Sequence, residues 1–232
     1  MIQDVHCEQS SGIEDECDVL IAKTPDMILE CLRLRYQVYC VEKGFEPGCN
    51  GLEMDRFDDQ ARHVLLVHRQ SGEPVGTVRV IPPSKAVSID DFPMAVACSK
   101  GRLNDLPART TGEISRFAVS KQRRISCGAG KMIRLGLMQG VLRVSVDLGL
   151  THWCAIMEPI LLRLLQRNAI HFAPLGPLVD YHGMRQPSYA DIGRVLGRTR
   201  YEQSDNWDYV TMGGAHWPEH LRPRDTAELQ AA

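Results

Sequence analysis

The sequence contains no run of the roughly 18 uncharged apolar residues that a bilayer-spanning helix requires. None of its eight cysteines (Cys7, Cys17, Cys31, Cys40, Cys49, Cys98, Cys127, Cys154) sits in a CxxC pair or at zinc-ribbon spacing, so they read as reduced, small hydrophobes. Basic charge is also scarce, with 27 Lys and Arg against 29 Asp and Glu, a net charge of −2. Nucleic-acid binding demands a broad basic surface and is not expected. His216 and His220 share helical spacing, but Pro218 lies between them and no third ligand suggests itself, so no metal site is expected. No internal repeat is visible. The opening MIQDVHCEQSSGIEDECD is acidic and polar where a secretory signal is basic and then apolar, which predicts a cytoplasmic protein.

What is present suits one globular unit: 232 residues, 44% of them hydrophobic. The expected organisation is a flexible acidic segment over 1–18, a main domain over 19–186 and an extension of uncertain structure over 187–232. Thr24-Pro25 combines an N-cap with proline at the first helical position, and Ile28, Leu32, Tyr36 and Tyr39 recur at helical spacing until Gly44, predicting about five turns. HVLLVHR (63–69) and PVGTVRVI (74–81) flank Gln70-Ser71-Gly72-Glu73 and read as a hairpin. Residues 82–111 read as an irregular excursion with a short helix around 90–98. A strand over 113–119, a glycine-bearing turn and a helix over 131–148 follow. A buried strand at 151–157 precedes a helix over 158–169 that opens on Pro159, then an extended segment through Met184 and a weak helix near 188–197. Strand–helix–strand units of this length predict an α/β fold, an αβα sandwich around a mixed, partly parallel sheet.

Charge is distributed unevenly. Lys121 to Arg134 holds five basic residues and no acidic one, whereas Glu53 to Asp59 holds four carboxylates and one arginine. Taken singly, each run reads as a solvated face. The stretch EMDRFD also places carboxylates at alternate positions, as a divalent-metal loop does, but it lacks the glycine and closing glutamate of a calcium hand.

The order αββ…βαβαβ, with SGEPVGTVRVI in the hairpin and RFAVS leading through basic residues to a glycine-bearing helix start, resembles the GNAT superfamily of acyltransferases. That resemblance implies a GNAT-like fold in which the helix N-terminus offers backbone N–H groups to the acyl donor; Arg124, Gly128, Gly130 and Lys131 are the donor-binding candidates. The family's loop carries an arginine three residues before its first glycine, but here Ile125 stands at that position and Arg124 lies four before Gly128. This departure, with the basic run 121–134, leaves room for a donor carried on acidic acyl carrier protein as well as on coenzyme A. No tightly bound cofactor is implied.

A narrower resemblance emerges from Arg35, Tyr39, Phe45, Glu53, Asp55, Asp58, Arg79, Glu113, Ser115 and Arg116 taken in order. Over roughly residues 33–125 the chain is similar to acyl-homoserine-lactone (autoinducer) synthases and to long-chain N-acyl amino acid synthases. GPLVDYHGMRQPSYADI resembles the latter and acyltransferases associated with exosortase systems. The implied activity is transfer of a medium or long fatty acyl group from an acyl carrier protein or coenzyme A thioester to a small amine such as an amino acid. An acyl-homoserine-lactone synthase using S-adenosylmethionine, and a non-catalytic module that binds acyl-carrier protein, are the alternatives.

Amine attack on a thioester needs an unprotonated nitrogen, a positioned carbonyl and a home for the oxyanion. Glu113 is the candidate base, with Ser115, Arg116, Phe117 and Val119 completing the catalytic strand and its N–H groups around 117–119 facing the carbonyl. Arg35, Tyr39, Phe45, Glu53, Asp55, Asp58 and Arg79 are the acceptor-binding candidates. A buried salt bridge fixing the first helix to the sheet accounts for Arg35, Asp55, Asp58 and Arg79 equally well, and a solvated loop position is the simpler reading of Glu53. Ile156, Ile160, Leu161, Leu164 and Leu165 line an acyl tunnel or simply pack the core.

Overall fold

The computed structural model describes residues 17–45, 48–83, 92–98, 103, 105–121 and 130–222. Strand β1 (Cys17–Ala22) leads to Thr24, whose hydroxyl accepts from the Met27 N–H at 3.3 Å and so caps α1 (Pro25–Arg35). The expected five-turn helix is α-helical only through Arg35. Tyr36–Glu42 continue as a π-helix, with the Lys43 N–H reaching the Val38 carbonyl at 3.1 Å. This wider ladder re-aims the side chains from Tyr36 onward, Tyr39 among them. Gly44, at φ +64°, ends the segment.

The hairpin forms as the sequence indicates, from β2 (Arg62–His68) and β3 (Pro74–Ile81), closed by Gly72 at φ +69°. After β4 (Thr111–Val119) come α2 (Gly130–Asp147), β5 (His152–Met157) and α3 (Pro159–Gln166). Two short strands, β6 (Ala173–Pro174) and β7 (Val179–Asp180), lead to β8 (Met184–Asp191), then α4 (Ile192–Glu202) and α5 (Ser204–Thr211). The excursion after β3 contains a 3₁₀ turn at Pro93–Val96. The sheet runs β1-β2-β3-β4-β5-β8-β6, with β7 also on β8; β4 and β5 are parallel and the other pairs antiparallel.

Alternation along β2 explains the layers. Leu65 packs with Cys31 and Ala22 beneath α1, while Val64 and Leu66 meet α2 on the opposite face. Both faces are covered, which is why HVLLVH reads as continuous apolar sequence. Gly140 and Gly136 permit the close approach of α2: a Cβ at Gly140 would come within 2.3 Å of Val64, and one at Gly136 within 2.9 Å of Leu66. The result is an αβα sandwich with a mixed, partly parallel sheet.

Residues 187–222, where the sequence indicates little besides a short helix, contribute to the same sheet and core. β8 pairs with β5 from Met157↔Gln186 to His152↔Asp191. Asp191 then caps α4 by accepting from the Arg194 N–H at 3.0 Å, and Ile192, Val195 and Leu196 join the main cluster. Among the described residues no helix is long and apolar enough to cross a membrane.

Candidate active site

The parallel ladder between β4 and β5 runs only from Thr111↔His152 to Glu113↔Cys154. Beyond it the strands splay while β5 stays paired with β8 through Met157. On its other side β4 shifts register against β3 between Thr77 and Arg79, and Arg116 there takes φ +53°. This bulge re-aims Ser115, Arg116 and Phe117 toward the gap, as bulges do beside functional sites. Peptide groups of β4 past Glu113 therefore open onto space instead of onto a neighbouring strand.

Two adjoining cavities fill the splay. The larger, about 220 Å³, is walled by Ile114, Ser115, Arg116, Phe117 and Val119 of β4, by Gly130 and Arg134 of α2, and by Ile156, Ile160, Leu161 and Leu164. Gly130, the first residue of an 18-residue helix, brings that helix's positive end to the cavity rim, while Lys131 is exposed beside it. Arg124 and Gly128 lie outside the described residues. Of the aliphatic set, Ile156, Ile160, Leu161 and Leu164 face the cavity, whereas Leu165 is fully buried in the core. The smaller cavity, about 80 Å³, is lined by Tyr39, Phe45, Pro93, Glu113, Ser115, Arg116, Ile156, Tyr181, His182 and Arg185.

Glu113 stands at the fork of the strands, 2% exposed, with one carboxylate oxygen accepting from the Met94 N–H at 3.0 Å. Burial pushes its carboxyl up to about 8, against the pull of that N–H and of the Arg79 and Arg116 charges. A carboxyl so poised takes and returns protons near neutrality, as a general base must. Tyr39 donates to the Phe117 carbonyl at 3.2 Å and so braces the bulge.

Beside it lies a closed set of three arginines and three carboxylates. Arg35 donates to Glu53 at 2.5 Å and to Asp58 at 2.6 and 3.1 Å. Arg79 reaches Asp55 at 2.6 and 3.0 Å, Asp58 at 2.7 Å and the Ser115 hydroxyl at 3.0 Å. Arg116 reaches Glu53 at 2.9 Å and Asp55 at 3.0 Å. Arg35 and Arg79 are fully buried, and Glu53, which sequence alone suggests is solvated, is only 4% exposed. Burial raises the pKa of each carboxyl, but the guanidiniums outweigh it and hold Glu53, Asp55 and Asp58 below the ordinary range. His63 comes within 3.8 Å of Asp58, yet burial and the arginine charges lower it to about 4, so it stays neutral and the set sums to zero. These residues hold one another, and through Arg79–Ser115 and Arg116 they hold β4.

Sequence reasoning missed a second charged group at the junction of the cavities: Lys43, Glu158 and Arg185. Lys43 donates to Glu158 at 2.6 Å and Arg185 to the same oxygen at 3.1 Å. Lys43 and Arg185 also lie 5.3 and 5.7 Å from the centre of the Phe45 ring. The only signal was Arg185's place in GPLVDYHGMRQ, which carries no chemistry until β8 brings it to the site.

Residues 34–133 match the acetyltransferase (GNAT) domain. No curated protein matches the sequence. Among solved structures, TofI in a ternary complex with an inhibitor and MTA superposes with a TM-score of 0.62 at 17% identity, covering 83% of this chain and 96% of that one. BjaI, a CoA-dependent acyl-homoserine lactone synthase solved with SAM and isopentyl-CoA, gives 0.58 at 22% identity over 90% and 93%. FeeM, an N-acyl amino acid synthase from uncultured soil microbes, gives 0.59 at 15% identity over 81% and 96%. At these identities the likeness is one of fold. The strand bearing Glu113 and the helix start at Gly130 both fall within the stretch that matches the acetyltransferase (GNAT) domain.

Proposed function

We propose that this chain is an N-acyltransferase that moves a medium or long fatty acyl group from an acyl carrier protein thioester to the amine of an amino acid or related small molecule. The observation that carries the reading is Glu113 at the fork of β4 and β5, opening on the smaller cavity while aliphatic side chains of α3 line the larger. In this arrangement the acceptor nitrogen attacks the thioester carbon as Glu113 takes its proton. The oxyanion faces the N–H groups of β4 around residues 117–119. The C–S bond then breaks, and the leaving thiolate takes the proton that Glu113 holds as the amide departs. A base lining a cavity, instead of being sealed in the core, favours an enzyme over a non-catalytic acyl-binding module. Acyl-homoserine-lactone synthesis is the second reading, supported by a fold shared with BjaI.

The carrier part of the proposal rests on the Arg124-to-Gly128 spacing and the basic run 121–134, of which 122–129 lie outside the described residues. Comparing acyl carrier protein and coenzyme A thioesters of one acyl chain tests it. The carrier protein is expected to give the higher kcat/KM, with an advantage that shrinks as salt screens the charge attraction. A preference for the coenzyme A thioester at low and high salt overturns the carrier assignment, and transfer from neither overturns the enzyme.

A further inference from the structure

We propose that Arg185 is the acceptor's carboxylate receptor, so that the acceptor is an amine bearing an acid group. This inference rests on the N-acyltransferase reading and adds the chemical class of its second substrate. It starts from charge balance. The arginine–carboxylate set around Arg79 is neutral and internally bonded, so it has no net charge to offer a ligand. The Lys43–Glu158–Arg185 group is different: two cations share one carboxylate, leaving +1 where the two cavities meet.

Geometry singles out Arg185 within that group. The β7–β8 hairpin turns through His182 at φ +53° and Gly183 at φ +91°, and the turn points two carbonyls at the guanidinium. Nε donates to Tyr181 O at 3.1 Å, one terminal nitrogen to His182 O at 3.2 Å and the other to Glu158 at 3.1 Å. A guanidinium carries five N–H groups. Three are occupied among the described residues, and the remaining two belong to a side chain that lines both cavities. Two fixed N–H groups on a held, half-buried guanidinium match a carboxylate. The smaller cavity thus presents a cation from Arg185 and a base from Glu113, with Phe45, Tyr39, Tyr181 and His182 as walls. An amine and a carboxylate on one small molecule satisfy both ends.

The test supplies a fatty acyl thioester with an equimolar mixture of the proteinogenic amino acids, and separately with the matching amino acid amides. Wild type is expected to acylate the acids in preference to the amides. Arg185→Gln should raise the KM for the acids by roughly 10–100-fold, the loss of a charged hydrogen bond, and so abolish the preference for acids over amides. Glu158→Gln supplies the opposite sign: raising the local charge from +1 to +2 should lower the KM for the acids, a gain that a purely structural role does not produce. Equal use of acids and amides by wild type, or a preserved preference for acids in Arg185→Gln, overturns the assignment, and so does a change confined to the thioester KM. If wild type acylates no amine, the N-acyltransferase reading fails, and thermal shift then judges Arg185. Stabilisation by glycine but not glycinamide, lost in Arg185→Gln, supports the receptor, and equal stabilisation by both refutes it.

Discussion

Glu113→Gln is expected to lower turnover by roughly two or more orders of magnitude while the fold stays intact, the effect of losing a positioned base. The amide is nearly isosteric and its oxygen can still accept from the Met94 N–H, so geometry survives while proton transfer does not. The pH profile separates this from a packing defect. Glu113 must be deprotonated to act, and its carboxyl sits at about 8, so kcat/KM should climb through that pH in wild type and lose the inflection in the variant. Stability gives the complementary sign. Because the folded carboxyl holds its proton above its ordinary value of 4.5, the native state binds more protons than the unfolded chain between 4.5 and about 8. Wild type should therefore lose stability as pH rises through that window, and Glu113→Gln should not. Unchanged turnover in a folded Glu113→Gln protein removes Glu113 from the mechanism.

The second large effect lies in the arginine–carboxylate set. Removing Arg79 or Asp58 alone leaves three charges of one sign against two of the other in a buried site, and each alanine variant should lose about 3–5 kcal/mol. That is a large fraction of the roughly 5–15 kcal/mol that holds a domain folded. The double variant removes one of each sign and leaves Arg35 and Arg116 facing Glu53 and Asp55, so it should cost clearly less than the sum of the singles. Distance is not the deciding quantity. Arg69 and Asp18 approach to 2.8 Å, but their side chains are 49% and 47% exposed, and breaking that pair should cost about 0–1 kcal/mol. Denaturant unfolding of the three variants measures the coupling, and simple additivity contradicts a single network.

How legible the protein was in its sequence depends on whether local chemistry or tertiary context made the choice. Thr24-Pro25 capped a helix as such a pair does anywhere, and Ser71-Gly72 turned a hairpin, because cap and turn demands are local. The change to a π-helix at Tyr36 was not legible, since no residue there forbids ordinary helix. β8 was hidden for a different reason. Pro187 sits inside it, opposite Ile156, with strands on both sides. Proline lacks an N–H for the ladder and reads as evidence against an interior strand. Here its carbonyl is used instead, accepting from the Leu175 N–H at 2.8 Å.

The site shows the same division. Arg35, Asp55, Asp58, Arg79, Glu113 and Arg116 stood out as an ordered set, but sequence could not distinguish residues that touch substrate from residues that brace the strand. Arg35 and Arg79 are fully buried, and the same observation moves Glu53 from the surface into the set. Lys43 is more than a hundred positions from Glu158 and Arg185, and Arg185 reaches Glu158 because β8 lies beside β5, a pairing no local pattern announces.

The central claim, that the forked cavity performs N-acyl transfer with Glu113 as base, is tested most directly in cells. Lipid extracts from cells expressing wild type and Glu113→Gln at equal levels are compared by mass spectrometry. The account predicts a fatty N-acyl amine, its acyl chain and acceptor read from one fragmentation spectrum, present with wild type and absent or strongly reduced with the variant. Identical lipid profiles from the two strains, or an equal yield of product from both, would contradict it.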